Sequence, residues 1–313
     1  MSLMASKRAR RRLTRAGVYI FLGMASVIVI FPYLWMALTS FKPIEEFFTY
    51  PLEWFTRNWT LAQYAGVLGD PNFLACLENS LLVSSIVTAV SLGLAIPAAY
   101  GLTRLRAPGG KSILVGILSS QFFPPMIFFV PFYIILSKFR LLNTIPGLVF
   151  AYLSVTLPIC TWMVAATFRN IPRELEEAAR VDGCGDLRTI FEVVLRMSLP
   201  GILTAGLFAF VLAWQEYIFA LLYTTTTAAQ TAPVLLFYYL GQHQIDYGRL
   251  MAAAILLSLP VIFPFAFMQR YFRQGRGEDD RETEQYGRGH EAPVVDLVLA
   301  QVVEEEDRRG LGG

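Results

Sequence analysis

The apolar residues of the chain fall into long stretches that contain no Asp, Glu, Lys or Arg. An α-helix needs roughly 20 mostly apolar residues to cross the hydrocarbon core of a bilayer, so this pattern predicts six membrane-spanning helices. The charge-free stretches are 16–41, 79–103, 112–137, 141–168, 197–215 and 250–269. The predicted fold class is therefore all-α, a polytopic membrane protein with six transmembrane helices, and the soluble enzymes are excluded.

Positive charge in the segments between the stretches predicts the topology. Inside loops of membrane proteins carry an excess of Lys and Arg. If the basic segment 1–15 lies inside, alternating spans place 21 Lys and Arg residues inside and 5 outside. We therefore predict that both termini are cytoplasmic, and that the polar segment 169–198 is a cytoplasmic loop.

Proline is common in the predicted spans. The third stretch contains Pro124, Pro125 and Pro131. A proline inside a helix removes one backbone hydrogen bond and tends to kink the helix. Lipid-embedded helices tolerate this where neighbouring helices or water satisfy the freed backbone groups. We therefore expect bent spans, as in a protein that moves.

Composition agrees with a membrane protein and separates a terminal segment. Hydrophobic residues make up 55% of the chain and charged residues 16%, against about 25% charged residues in soluble proteins. Residues 1–273 carry 21 Lys and Arg and 13 Asp and Glu, whereas residues 274–313 carry 5 and 11. Charged segments of low hydrophobicity stay disordered. We predict a transmembrane domain at 16–273 and an acidic, disordered cytoplasmic tail at 274–313.

Residues that could hold a metal or nucleotide are sparse. The three cysteines and two histidines lie far apart, so neither a disulfide framework nor a metal site is predicted. The segment Gly110-Lys111-Ser112 is similar to the end of a phosphate-binding loop, but Leu105 stands where that motif needs a glycine. We expect no cofactor on this chain.

The loop between the fourth and fifth stretches has the pattern of a short helix. Asn170 is a candidate N-cap, and acids follow in the first turn, where the helix dipole favours them. Gly183 is where this helix should end, because glycine accepts the left-handed backbone conformation. Apolar residues then recur at helical spacing. The sequence predicts a helix–turn–helix whose Ala178 and Ala179 form a patch of small residues that another protein can approach closely.

Several motifs in this order resemble one transporter family. The loop contains Glu177-Ala178-Ala179, then three residues, then Gly183, and Asp182 stands directly before that glycine. This pattern resembles the EAA loop of bacterial ABC importer permeases. Further segments are similar to the carbohydrate-importer branch, the maltose-permease-G-like subunits. They are Thr39-Ser40-Phe41-Lys42, Asn79-Ser80, Trp214-Gln215-Glu216-Tyr217 and Leu250-Met251-Ala252-Ala253. The resemblance covers residues 16–273. The family pattern has a Leu-Pro pair where this chain has Leu195-Arg196. Arg196 thus replaces the proline, and the departure concerns the local helix break that the proline would cause, not the docking role of the loop.

The resemblance implies partners and a mechanism. The chain would form a solute pathway with a second, homologous permease subunit in the bacterial inner membrane. Two ATP-binding subunits would hold ATP and Mg²⁺, and an extracytoplasmic solute-binding protein would deliver a sugar or related polar solute. The loop 169–198 would couple to the ATPase, with the coupling residues being Glu177, Ala178, Ala179, Asp182 and Gly183. The chain would be no enzyme itself, and no nucleic acid would bind.

Four residues around the end of the fifth stretch are candidates for the solute pathway: Trp214, Glu216, Tyr217 and Phe219. Aromatic faces and a carboxylate suit a sugar, and an ionisable group in a membrane indicates function by default. Packing between helices remains the alternative for the same residues. An alternative function is a proton-coupled secondary transporter that uses Glu216. Such transporters usually contain an internal repeat, and the Glu-Ala-Ala and Trp-Gln-Glu segments occur once each.

Overall fold

The computed structural model describes residues 2–47, 50, 53–105, 108–241 and 246–286, with side chains described within 15–268 except at 186–187. It is 80% helical, and the described residues form no β-strand. The predicted all-α class is therefore confirmed.

The helices vary from single turns to spans of a membrane. In chain order they are α1 (Ser2–Ser40), α2 (Ala62–Leu68), α3 (Pro71–Thr103), α4 (Gly110–Ser119), α5 (Phe129–Lys138), α6 (Ile145–Arg169), α7 (Arg173–Val181), α8 (Asp186–Thr189), α9 (Leu195–Trp214), α10 (Ile218–Tyr223), α11 (Ala232–Tyr239) and α12 (Tyr247–Tyr286). Short 3-10 turns occupy Ile44–Glu46, Ser120–Phe122 and Pro125–Phe128, and a π-helical turn occupies Ile190–Val194.

Five helical segments of the described chain are long and apolar enough to cross a membrane. They are Arg15–Ser40, Pro71–Thr103, Ile145–Arg169, Ile190–Trp214 and Tyr247–Met268. The stretch 112–137, predicted as one span, instead forms two helical segments, Gly110–Phe122 and Pro125–Lys138, that meet at 91°. Extended backbone at Phe123 and Pro124 separates them, because proline cannot donate the hydrogen bond that would continue the helix. The described residues thus hold five spans, or six if this bent pair is one broken span.

The second span begins earlier than the charge pattern predicts. Asp70 caps α3, since its Oδ1 accepts the N–H of Asn72 at 2.9 Å, and Pro71 suits the first helical position. The helix therefore includes Glu78, which the predicted stretch 79–103 leaves outside.

The core lies between α3, α6 and α9, which pack along one another. Small residues bring these helices close together, as is common where helices meet in membranes. A Cβ added to Gly201 on α9 would lie 2.4 Å from Cγ2 of Thr167 on α6. In the middle of the bundle, the hydroxyls of Ser91 and Thr156 are hydrogen-bonded at 2.8 Å. We call the end of the bundle at Thr103 and Arg169 the α7 end.

The chain divides into two compact units, Met1–Phe263 and Pro264–Gly313. In the first unit, the apolar side chains of α1 from Val18 to Leu34 remain mostly exposed. The described part of the second unit is the continuation of α12 to Tyr286. Residues 274–286 are thus helical, and 287–313 lie outside the described residues, so the disordered tail at 274–313 stays a prediction.

Candidate functional site

The helix α7, which carries the Glu-Ala-Ala segment, starts after a sharp turn at the end of α6. Asn170 has helical backbone angles (φ −79°, ψ −10°) and closes α6, donating its N–H to the carbonyl of Thr167 at 3.2 Å. The prediction that Asn170 caps α7 is therefore wrong. Pro172, with extended backbone (φ −57°, ψ 137°), occupies the position before the first helical residue. Pro172 has no N–H to continue α6, and its extended ψ turns the chain before α7 begins.

Gly183 ends α7, where the sequence predicts the end. Its φ is +85°, a left-handed conformation that strains residues with a side chain. The N–H of Gly183 donates to the carbonyl of Arg180, and the N–H of Cys184 donates to the carbonyl of Ala179, both at 3.0 Å. This pair of bonds is the Schellman motif. A Cβ at Gly183 would meet nothing within 4 Å, so backbone conformation alone requires the glycine.

The two faces of α7 differ in exposure. Glu176 and Ala179 are buried, at 7% and 9% exposure, whereas Glu177, Ala178 and Asp182 are exposed. The predicted patch of small residues is therefore divided, and only Ala178 lies on the accessible face. The accessible face of α7 carries Ala178 among charged side chains, together with the exposed apolar side chains of Leu175 and Val181.

The buried face of α7 is held by an arginine whose only signal in the sequence is the positive charge that it adds to a predicted inside segment. Arg104 caps the C-terminus of α3, and its Nε lies 3.1 Å from Oε1 of Glu176, with 5% and 9% of the two side chains exposed. A polar cavity of about 350 Å³ borders this pair, lined by Arg104, Leu105, Arg173, Glu176, Glu177 and Arg180. No local pattern indicates the pair, because its members belong to different loops.

The chain after Gly183 continues without a break into the next span. The short helix α8, the π-helical turn Ile190–Val194 and α9 follow one another directly. Arg196 is the second residue of α9 and is exposed. Where the family pattern has proline, this chain therefore has continuous helix, and the local irregularity is the π-helical turn just before it.

The candidate pathway residues lie at the other end of α9, where the helix stops. Glu216 follows the end of α9 and precedes α10, so the segment Trp214–Phe219 is not part of one continuous helix. The Glu216 carboxylate accepts the backbone N–H groups of Phe219 at 2.9 Å and Ala220 at 3.3 Å. These are N–H groups that have no partner within α10. The carboxylate therefore caps α10.

The aromatic members of this group contact different neighbours. Trp214 is 7% exposed and donates its indole N–H to the carbonyl of Leu257 at 3.2 Å. Phe219 is 2% exposed and packs edge-on against Phe129, with 5.5 Å between ring centroids. Tyr217 is half-buried. Trp214 and Phe219 therefore pack between helices, and contact of Tyr217 with solute stays a prediction.

Two asparagines hold the loop that follows α10. Asn79 Nδ2 donates to the carbonyls of Thr227 and Gln230, both at 3.0 Å, which gives a structural role to the Asn79-Ser80 motif. Asn143 Oδ1 accepts the N–H groups of Thr225 at 2.9 Å and Thr226 at 3.0 Å. No sequence pattern indicates this role of Asn143, because its left-handed backbone (φ +59°) has no signal beyond the tolerance of asparagine for that conformation.

The motif Thr39-Ser40-Phe41-Lys42 fixes the end of α1. Ser40 is hydrogen-bonded to the hydroxyl of Tyr64 at 2.7 Å. Lys42 is 3% exposed; its ammonium donates to the carbonyl of Glu53 and lies 5.3 Å from the ring centroid of Trp35. A buried ammonium needs such partners. The motif therefore ties the segment that follows α1 to that helix.

Residues 89–277 match the family of binding-protein-dependent transport system inner membrane components. This segment contains the C-terminal part of α3, all of α6, α7 and α9, and the Glu216 cap. The chain belongs to this family.

Relatives of this permease include sugar-system subunits. The chain is 32% identical over 255 residues to the trehalose/maltose transport system permease protein MalG of Thermococcus litoralis, covering 80% of this chain and 91% of the relative. It is 34% identical over 248 residues to the sulfoquinovosyl glycerol transport system permease protein SmoH of Agrobacterium fabrum, covering 78% and 87%. The resemblance to the maltose-permease-G-like branch is thereby confirmed.

Solved structures agree on the fold of the permease. A bacterial ABC transporter that imports the acidic polysaccharide alginate matches with a TM-score of 0.70 and 19% identity, over 83% of this chain and 97% of that chain. The alginate transporter in complex with a periplasmic protein bound to an alginate pentasaccharide matches with a TM-score of 0.62 and 14% identity, over 84% and 96%. At these identities the likeness concerns the fold.

Proposed function

We propose that this permease is the transmembrane subunit of an ATP-driven ABC importer that moves a sugar or related polar solute inward. The observation that carries the proposal is the division of α7, which is fixed to the bundle by Glu176 and presents Glu177, Ala178 and Asp182 outward. A short helix anchored on one side and accessible on the other is suited to seat in a partner. The names of the relatives support the solute class.

Coupling would run through α7. The importer would contain two ATP-binding subunits, and α7 would sit in a groove of this ATPase. Glu177 would be the polar anchor, Ala178 would make the close contact, and Gly183 would fix the turn. Closing of the ATPase dimer on ATP and Mg²⁺ would displace α7 and convert the pathway between inward- and outward-facing states. The ligand acts here by favouring one of two conformations. Hydrolysis would occur on the partner, and this chain would have no catalytic residue.

Two further partners complete the importer. A second, homologous permease subunit would share the pathway, and an extracytoplasmic binding protein would deliver the solute. The alginate transporter, whose structure includes a sugar-bound periplasmic protein, supports this arrangement. The excess of inside positive charge, 21 residues against 5, supports cytoplasmic termini and a cytoplasmic α7 in the bacterial inner membrane.

A proton-coupled transporter is less well supported. That function needs Glu216 to exchange protons with a pathway. Both carboxylate oxygens of Glu216 instead accept backbone N–H groups, so the role that its contacts support is that of the cap of α10.

The test is purification of the tagged chain from native membranes in mild detergent, followed by mass spectrometry and reconstitution. We expect an ATP-binding subunit and a second permease to co-purify, and Glu177→Ala to abolish solute transport while ATP hydrolysis continues. The exposed acid of the same loop, Glu192→Ala, is the control and should transport normally. Recovery of the chain alone, with proton-driven uptake, would refute the proposal.

A further inference from the structure

One arginine joins three parts of the chain at the α7 end. The guanidinium of Arg104, at the C-terminus of α3, pairs with Glu176 of α7 at 3.1 Å. Its Nη2 also donates to the carbonyl of Ile171, in the turn before α7, at 2.8 Å, and to the carbonyl of Phe168 in the last turn of α6. A single buried side chain therefore contacts α6, the turn and α7 at once.

The chemistry of these contacts is specific to arginine. The last carbonyls of α6 have no partner within that helix and lie at the negative end of its dipole, which attracts a cation. A guanidinium offers five N–H donors in one plane, so it can bind a carboxylate and carbonyls at the same time, whereas the compact ammonium of lysine cannot reach all of them. A second bond runs in the opposite direction, from Nη2 of Arg173 on α7 to the carbonyl of Thr103 at 3.3 Å.

The contacts connect α7 to a buried apolar cluster of the bundle that contains Tyr100, Phe168 and Ile171. Beside Arg104, Phe168 and Tyr100 are buried and pack edge-on, with 6.4 Å between ring centroids. Farther along, Ser91 and Thr156 bond α3 to α6. A charge removed from water is costly to separate from its partner. Displacing α7 alone would break the buried pair, whereas displacing α7 together with α3 and α6 would keep it.

We propose that Arg104 and Glu176 are positioning residues that transmit the displacement of α7 to α3 and α6. This inference rests on the proposed function and extends it, because it names the link between the docking helix and the spans. It assigns opposite tasks to neighbouring acids: Glu177 faces the ATPase, and Glu176 faces the bundle. Without the pair, α7 would still bind the ATPase, but its movement would no longer carry the spans with it.

The experiment measures coupling in the complete transporter, reconstituted in proteoliposomes with its binding protein. Arg104→Lys keeps the positive charge but not the three-way contact, and Glu176→Gln keeps the shape but not the charge. We expect ATP hydrolysis to continue and solute transported per ATP to fall at least about fivefold, the lower end of typical coupling between sites. The control is Glu192→Gln, which disrupts an exposed pair with Arg188, whose side chains are 65% and 55% exposed, and it should leave the ratio unchanged.

A distance measurement tests the link directly. Spin labels placed at exposed Val181 on α7 and Leu94 on α3, with Cys184→Ser removing a partly exposed thiol, should give a narrow distance distribution. Arg104→Lys and Glu176→Gln should broaden it, and Glu192→Gln should not. A merely structural pair would change the abundance of the complex without changing transport per ATP.

The outcomes separate the two proposals. If Glu177→Ala uncouples the transporter but Arg104→Lys and Glu176→Gln retain the normal ratio, the inference is refuted and the proposed function stands. If both pair variants fail to assemble, the pair is needed for folding and the inference is also refuted. If Glu177→Ala itself leaves transport and coupling normal, the proposed function fails.

Discussion

Glu216 caps the helix that begins two residues later, and its carboxylate lies 2.9 Å from the backbone N of Phe219. The N–H groups at the start of a helix lack partners within the helix, and negative charge is favourable there. The acid therefore stabilises the bend between α9 and α10. The sequence indicates that Glu216 contacts solute. In the fold, its role as a helix cap is enough to explain the acid at this position.

Removing this cap should lower the stability of the permease without changing its affinity for solute. We expect Glu216→Ala to lower the free energy of unfolding by about 1–2 kcal/mol, the range for lost N-caps. Glu216→Gln should cost less, because its amide oxygen still accepts one N–H. Thermal unfolding of the purified complex and the KM of uptake measure the two effects. The control is Glu78→Ala, which removes an exposed acid on α3. If Glu216→Ala has normal stability but a raised KM, Glu216 is a solute contact instead.

The left-handed turn at Gly183 gives a second prediction. Gly183→Ala should destabilise the end of α7 by about 1–2 kcal/mol, because a Cβ strains this backbone conformation, although space is available for it. Gly183→Asn should cost less, since asparagine tolerates the same angles. The amount of solute transported per ATP hydrolysed measures how far this destabilisation of α7 reduces coupling.

Gly185→Ala is the matched control for this turn. Gly185 has open space around it and no positive φ, so its substitution should leave coupling unchanged. If Gly183→Ala and Gly185→Ala behave alike, the left-handed cap has no part in the function of α7.

Local features of the fold are the ones that the sequence predicts well. The charge-free stretch 141–168 corresponds closely to α6, because burial in lipid excludes charge all along a helix. Gly183 is found correctly because the need for a left-handed residue is a property of the backbone at that position. Proline predicts a bend in the third stretch, but the 91° angle also depends on the packing of its two halves.

Contacts between distant segments are the part that the sequence does not predict. Arg104 and Glu176 belong to loops that follow different spans. In the sequence, neither can be distinguished from an ordinary charged residue on a protein surface. Their burial together follows only from the packing of α3 against α6. The same holds for Asn143, whose partners Thr225 and Thr226 follow α10.

The close approach of α9 and α6 gives a third prediction. A Cβ at Gly201 would lie 2.3 Å from Oγ1 and 2.9 Å from Cβ of Thr167, so Gly201→Ala forces the helices apart. We expect a loss of about 1–3 kcal/mol of stability, as for other overpacked cores, measured by thermal unfolding. Thr167→Gly should recover part of this loss in the double variant. Gly93→Ala, with nothing within 4 Å, should not destabilise, and equal losses at Gly93 and Gly201 would contradict the packing argument.

Asn143 gives the fourth prediction, which separates its hydrogen bonds from its backbone conformation. Asn143→Gly keeps the left-handed conformation but loses the acceptor for the N–H groups of Thr225 and Thr226. Asn143→Asp keeps the acceptor, and Asn143→Ala loses both. We expect Asn143→Asp to be the mildest and Asn143→Ala the most destabilising, with about 1 kcal/mol for the bonds and about 1 kcal/mol more for the strain.

Hydrogen exchange at the two threonine amides measures this loop directly. Exchange at Thr225 and Thr226 should accelerate in Asn143→Gly by roughly tenfold for each 1.4 kcal/mol of lost protection. Amides in the middle of α6 should be unaffected, because their bonds lie within the helix. If Asn143→Asp accelerates exchange as much as Asn143→Gly does, the carboxamide oxygen is not what holds the loop, and the amide Nδ2, which donates to Oγ1 of Thr226 at 2.8 Å, would be the group that does.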